Sequence, residues 1–316
     1  MNFWNQILAK LQSNQKVYLL TVIDNFGSSP GRRGFRMCVA EDGQIFGSIG
    51  GGVMEFQLVE EAKVLLRNKD YPIVLKRQIH KGKVKDGSGM ICSGEQTVVF
   101  HPLNSENSSQ IKFLIECLSK RKIGTLYLSH NTFDATSEVM NTKFETEIKN
   151  ASNWSYSEQL GIKDRFYIIG AGHVGLACSE LFKTLGFEVI LIDNREGLNT
   201  FVSNVSAHQK HIIDYKNVEN YVEESDTSYV AIMTNRYTDD KLVLSKLLSK
   251  QNKFIGVLGS KAKLKTMFEV LEEKDGFSKV ELNKVSAPIG VSIKSQSPEE
   301  IAVSIAAEVI QLKNEK

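Results

Sequence analysis

One stretch of this chain limits its fold more than any other. The apolar run Phe166 to Ile169 leads directly into Gly170-Ala171-Gly172-His173-Val174-Gly175; a helical pattern follows to Leu185, and a second apolar strand, Glu188 to Ile192, meets Asp193. Strand, glycines, helix and an acidic residue about twenty positions on are the parts of a dinucleotide-binding crossover. The first glycine allows the tight turn, the second lets backbone N–H groups approach a pyrophosphate, and the third lets the helix sit close to the strand. The helix start favours the anion. Asp193 is placed to accept from a ribose hydroxyl, or else to cap its own loop. His173 lies either over a phosphate or metal, or is an exposed polar residue of the first turn. Gly170, Gly172, His173, Gly175 and Asp193 are the candidate nucleotide contacts.

The remainder of this half has the same rhythm: a strand near His211 to Ile213, a strand Tyr229 to Met233, a helix Asp239 to Lys250, a strand Phe254 to Leu258 and a helix Lys261 to Glu272. Strands alternating with helices imply a parallel sheet with crossover connections, a Rossmann-like arrangement. The closing helix begins Ser297-Pro298-Glu299-Glu300, which reads as a capping box with Pro in the first turn. Only one nucleotide-binding unit is present, with no evident hydride-transfer partner, which weakens an ordinary dehydrogenase reading.

The first half reads as a smaller mixed α/β domain. Strands are expected at Val17 to Ile23, Phe35 to Ala40, Gln44 to Ser48, Ile73 to Ile79, Gln96 to Pro102 and Leu126 to Ser129. Asp42-Gly43 signals a hairpin. Val53 to Arg67 reads as a helix on the spacing of Val53, Phe56, Val59, Val64 and Leu65, and a second helix runs to Lys120. At 316 residues two domains are expected. We place them at 1–130 and 164–316, joined by a polar connecting segment, 131–163.

Two loops of the first domain are rich in glycine: Gly27-Ser28-Ser29-Pro30-Gly31-Arg32-Arg33-Gly34, and Gly47-Ser48-Ile49-Gly50-Gly51-Gly52 running into a helix. Such backbone points N–H groups at an anion, and Arg32, Arg33 and Arg36 are available to complete a phosphate pocket. The plainer alternative is a pair of turns with surface arginines. Glu55 falls in the first helical turn, where a carboxylate is also a routine partner of the helix dipole. A third loop, Gly87 to Glu95, carries Cys92 among glycines and small polar residues, near Lys83 and Lys85. Most free cysteines are buried and inert. Cys92 is nevertheless better placed than Cys38, Cys117 and Cys178, which lie in apolar-periodic segments, to act as a thiolate nucleophile or soft-metal ligand.

Composition removes other classes. With 39 Lys and Arg against 37 Asp and Glu, the net charge of +2 marks no nucleic-acid or anionic-membrane surface. The four cysteines form no CxxC pair, so neither a disulfide framework nor structural zinc is expected. The first residues are amphipathic, unlike a signal peptide, and no apolar run approaches the roughly 18 residues of a membrane span. A cytoplasmic setting is the expectation.

Taken in order, these segments resemble the XdhC/CoxI family of accessory proteins for molybdenum hydroxylases such as xanthine dehydrogenase. The resemblance is carried by Gly27-Ser28-Ser29-Pro30-Gly31, by Gly47-Ser48-Ile49-Gly50-Gly51-Gly52-Val53-Met54-Glu55, and by Met90-Ile91-Cys92-Ser93-Gly94. Gly170-Ala171-Gly172-His173-Val174, Ile255 to Ser260, Ala287-Pro288-Ile289-Gly290 and Pro298 to Glu308 continue it. It implies a two-domain α/β chaperone, more than a catalyst, that binds the molybdenum cofactor, as molybdopterin or its dinucleotide form. The cofactor would be held while a cysteine desulfurase supplies sulfur, then passed to the apo-hydroxylase. On this reading Cys92 touches the metal or its sulfur. Arg32 and Arg33 with Gly50, Gly51 and Gly52 hold the pterin phosphate, Glu55 counts among the cofactor contacts, and the second domain holds a nucleotide such as NAD(P). A homodimer, to which the helix after Ser297 would contribute, is also implied.

Three departures matter. Val53 stands where some branches carry a second cysteine, Cys92-Ser93-Gly94 replaces the usual Cys-Gly-Gly, and Thr234-Asn235-Arg236-Tyr237 occupies a loop where many relatives have histidine. The alternatives are an NAD(P)-dependent oxidoreductase and a nucleotide-sensing regulatory protein.

Overall fold

The computed structural model describes residues 3–68, 71–80, 94–120, 122–161 and 163–315. The chain forms two compact units, Met1–Ile162 and Lys163–Lys316. The first is built from α1 (Phe3–Gln12), β1 (Val17–Gly27), β2 (Arg36–Ala40), β3 (Ile45–Ser48), α2 (Gly52–Leu66), β4 (Val74–His80), β5 (Gly94–Leu103), α3 (Ser108–Lys120), β6 (Gly124–Ser129), β7 (Phe133–Thr136), β8 (Phe144–Asn150) and β9 (Asn153–Leu160).

An antiparallel sheet of order β3-β2-β1-β5-β4 is the frame of that unit. Its central strand β1 is apolar on both faces because both are covered. Tyr18, Leu20 and Val22 meet Leu58, Val59 and Ala62 of α2, while Val17, Leu19 and Ile23 share a second core with Trp4, Ile7, Ile111 and Leu114. The Asp42-Gly43 hairpin joins β2 to β3, with Gly43 at φ 83° supplying the left-handed turn residue.

The structure differs from expectation in two places here. Helix α2 buries Leu58, Val59, Ala62 and Leu66, whereas Val53, Phe56 and Val64, which suggested the helix, lie in solvent. Residues 131–163 are no connecting segment, since β7, β8 and β9 pair with β6 in a second antiparallel sheet, order β7-β6-β9-β8. Only one face of that sheet is apolar. Along β9, Trp154, Tyr156 and Glu158 are buried and the residues between them are not, so the strand reads as polar.

The second unit contains β10 (Arg165–Ile169), α4 (His173–Thr184), β11 (Glu188–Asp193), the short α5 (Asn199–Val202), β12 (Gln209–Ile212), β13 (Ser228–Ile232), α6 (Tyr237–Leu247), β14 (Phe254–Val257), α7 (Lys261–Glu273), the short α8 (Lys279–Leu282) and α9 (Pro298–Asn314). Its strands are parallel, in the order β12-β11-β10-β13-β14. Helices cover both faces: α6 and α7 on Tyr167, Ile169 and Val230, and α4 and α9 on Phe166, Ile168 and Ala231. This is a Rossmann-like fold, and its topological switch point lies between β10 and β13.

The apolar face of α9 is used within the unit, with Ala302, Ile305, Ala306 and Val309 buried in the core it shares with α4. That face is therefore not available to a second copy. Its start carries half a capping box. Ser297 Oγ accepts the Glu300 amide at 3.2 Å, but the Glu300 carboxylate turns back to the amide of Gln296, not of Ser297. Among the described residues no helix is long and apolar enough to cross a membrane.

Candidate functional site

The switch point is assembled at the carboxyl ends of β10 and β13. Gly170 has φ 118°, and a Cβ there would stand 2.2 Å from the Met233 carbonyl oxygen. At Gly175 a Cβ would stand 2.3 Å from Gly170 O, which explains the close seat of α4 on its strand. Gly172 is different. Its φ of −71° is ordinary, it caps α4 without any side-chain hydrogen bond, and a Cβ built on it meets nothing within 4 Å. Among the described residues nothing crowds that position, and the start of α4 is open there. His173 is exposed in the first turn.

Asp193 is not presented to a ribose. It is fully buried, and its oxygens accept from Ala171 N at 2.6 Å, Arg195 N at 2.9 Å, Arg195 Nε at 2.8 Å and Arg195 Nη2 at 2.7 Å. A carboxylate has about four lone-pair positions, and all are taken. Burial opposes its charge, yet the hydrogen bonds from Arg195 and the two amides outweigh burial and hold the carboxyl below its usual range. The expectation that Asp193 accepts from a ribose hydroxyl is thus replaced by the loop-capping alternative.

A second buried carboxylate was not apparent in the sequence. Asp240 of α6 accepts Thr234 N at 2.9 Å, Thr234 Oγ1 at 2.6 Å and Lys263 Nζ at 2.7 Å. It thereby fixes the loop after β13. Only its position in the first turn of a helix marked it, and there an acid usually faces solvent.

In the first unit the two glycine loops meet. A Cβ on Gly31 would lie 2.3 Å from Ile49 O, and the Gly31 amide is held at 2.9 Å by Gln96 Oε1 from β5. Gly94, where β5 begins, packs against the backbone of Ser28 and Ser29. Cys92 lies outside the described residues. Among those described, no cluster of His, Cys, Asp and Glu is arranged to hold a metal ion.

The cradle is partly filled from within. Glu55 Oε2 accepts Ser48 Oγ and Ile49 N at 2.8 Å and Gly51 N at 2.9 Å, while Gly50 N donates to Ser48 Oγ at 3.2 Å. Burial raises its pKa, but these donors prevail and keep Glu55 below the usual carboxylate range. Gly51 and Gly52 still have open space where a side chain would be.

The arginines separate. Arg33 pairs with Asp24 at 2.6 Å, and Arg36, half-buried, pairs with Glu158, with its guanidinium 5.4 Å from the Trp4 ring. Arg36 is committed to Glu158 of β9, in the second sheet, whereas the Arg33 side chain uses one donor on Asp24 and stays 34% exposed. Arg32 is exposed, and its guanidinium makes a 3.5 Å contact to Gly27 O. Cys38, Cys117 and Cys178 are buried, and burial pushes the Cys178 thiol up to about 12.

Two cavities of the second unit lie elsewhere. One of about 400 Å³ is lined by Arg165, Tyr167, Tyr221 and Lys250 at the amino ends of the strands, and one of about 440 Å³ lies between Phe254 and α9. Neither touches the glycine loop after β10.

Comparison with known proteins places the chain in a family. Residues 166–309 match the model of the XdhC Rossmann domain, and residues 10–75 match that of the XdhC and CoxI family. The uncharacterized protein YqeB of Escherichia coli is 25% identical over 99% of this chain, which spans only 47% of that protein. A Bacillus subtilis protein described as a probable xanthine dehydrogenase subunit is 22% identical, with 98% of this chain and 97% of the relative covered. A crystal structure from Bacillus halodurans, named as a xanthine dehydrogenase, superposes with a TM-score of 0.75 at 22% identity over 99% of this chain and 97% of that one.

Proposed function

The chain belongs to the XdhC and CoxI family, and from that premise we propose that it is an accessory factor of a xanthine dehydrogenase-type molybdenum hydroxylase, holding the molybdenum cofactor before insertion. The observation that carries this reading is the junction of the two glycine loops. It leaves open space beside Gly51 and Gly52, at the start of α2, with the Gly51 amide held by Glu55 and Arg32 exposed next to Gly31. A pterin phosphate is an anion of the kind such a place accepts.

The residues available to hold that phosphate are the amides at the start of α2 and Arg32. Glu55 shapes the loop from inside, Arg36 ties β2 to β9, and Arg33, paired with Asp24 but partly exposed, is a further candidate for the phosphate. When bound, the cofactor would supply a soft metal centre with a terminal oxo or sulfido ligand. Cys92 is the residue we assign to contact with that centre, a cysteine desulfurase is the sulfur donor, and the working form is a homodimer. Gly172 favours a second occupant, a nucleotide at the start of α4.

Producing the hydroxylase with and without this chain tests the role. Hydroxylase made alone should be full length and folded but largely inactive, with activity recovered when the accessory chain is added. Equal activity in both preparations contradicts the proposal.

A further inference from the structure

Resting on the reading that the second unit takes a nucleotide, we propose that Arg195 selects one whose ribose carries a phosphomonoester, as in a 2′-phosphorylated adenine dinucleotide. The geometry of one ion pair carries the argument. β11 ends at Asp193 beside Gly170, whose amide donates to Ile192 O at 2.8 Å, so this is where a nucleotide's ribose lies in a sheet of this topology. A carboxylate there normally accepts the ribose hydroxyls. Here all its acceptor positions are taken by Arg195 and Ala171, and it has no exposed surface.

Arg195 is what the pair turns outward. Its side edge, Nε and Nη2, is spent on Asp193 at 2.8 and 2.7 Å, and its side chain remains 34% exposed. The guanidinium carries five N–H donors in a rigid fork, so the end edge, through Nη1 and the second Nη2 hydrogen, is still open to a bidentate anion. Among the described residues no acid other than Asp193 is within ion-pair distance of it. A free ribose diol would have to displace Arg195 from a buried carboxylate. A ribose phosphate meets a fork already aimed and held.

Titration of the full-length protein with 2′,5′-ADP, 3′,5′-ADP and 5′-ADP tests this. One of the doubly phosphorylated probes should bind at least about tenfold more tightly than 5′-ADP, the scale of a charged hydrogen-bonded contact. The preferred probe identifies the phosphate's position, and Arg195→Met should abolish the preference. Arg195→Lys, which keeps a cation over Asp193, should recover part of it if Arg195→Met proves unstable. Equal binding of all three overturns the role of Arg195 while leaving a nucleotide site. Binding of none overturns the nucleotide reading and this inference together.

Discussion

A Cβ on Gly50 would stand 2.5 Å from the amide nitrogen of Gly31, so the loops leaving β1 and β3 meet backbone to backbone. Gly50 also sits at φ 129°, a conformation that side chains rarely adopt. Gly50→Ala is expected to cost about 1–3 kcal/mol, read as a lower urea midpoint of the first unit. An unchanged midpoint would mean that the loops do not meet as described.

The glycines of the second unit separate fold from function. Gly170→Ala places a methyl 2.2 Å from Met233 O and should destabilise that unit. Gly172→Ala, at φ −71° with open space around it, should leave stability unchanged or raise it by about 0.4–1 kcal/mol. It should nevertheless weaken nucleotide binding. Paired unfolding and binding measurements on the two variants check this, and a Gly172→Ala protein that binds as the parent does would remove the helix start from the site.

Much of the second unit could be read from the chain because strands covered on both faces are written as apolar runs, as Phe166 to Ile169 and Ser228 to Ile232 show. β7 to β9 escaped because one face of their sheet is polar. The contacts of the site were harder for a different reason. Asp193 and Glu55 stand where an acid can bind a ligand or cap a loop, and only the placement of Ala171, Arg195, Ser48 and Gly51 decides between them. Asp240 showed only a place in a first helical turn, since its partner Lys263 is on another helix.

The Glu308 carboxylate explains a segment without evident chemistry, Ala287 to Gly290. It accepts Gly290 N at 2.6 Å and Ser286 Oγ at 2.5 Å, and Ser304 Oγ donates to Val291 O at 2.6 Å. These bonds clasp the segment to α9. Glu308→Ala should cost roughly 2–4 kcal/mol and expose residues 284–296 to proteolysis. Resistance equal to that of the parent would show the clasp to be dispensable.

His101 sets an acid limit on the first unit. Burial lowers its pKa from 6.5 to about 4, although its ring nitrogens face Pro102 O at 3.3 Å and Thr132 O at 3.0 Å. Because the folded pKa is the lower one, the unfolded chain takes up the proton first. The neutral ring's stabilisation is complete above about pH 6.5 and is lost as pH falls towards 4. The loss amounts to about 3 kcal/mol. Urea midpoints followed from neutral to mildly acid pH should fall more steeply in the parent than in His101→Asn, and parallel curves would contradict the assignment.

The most direct test of the cofactor-holding role is retention. The purified protein is mixed anaerobically with released molybdenum cofactor, desalted, and assayed for molybdenum and for oxidised-pterin fluorescence. We predict co-elution near one cofactor per chain, reduced in Arg32→Ala and lost in Cys92→Ser although both variants remain folded. Absence of pterin from the protein fraction, or retention unchanged in both variants, would contradict the account.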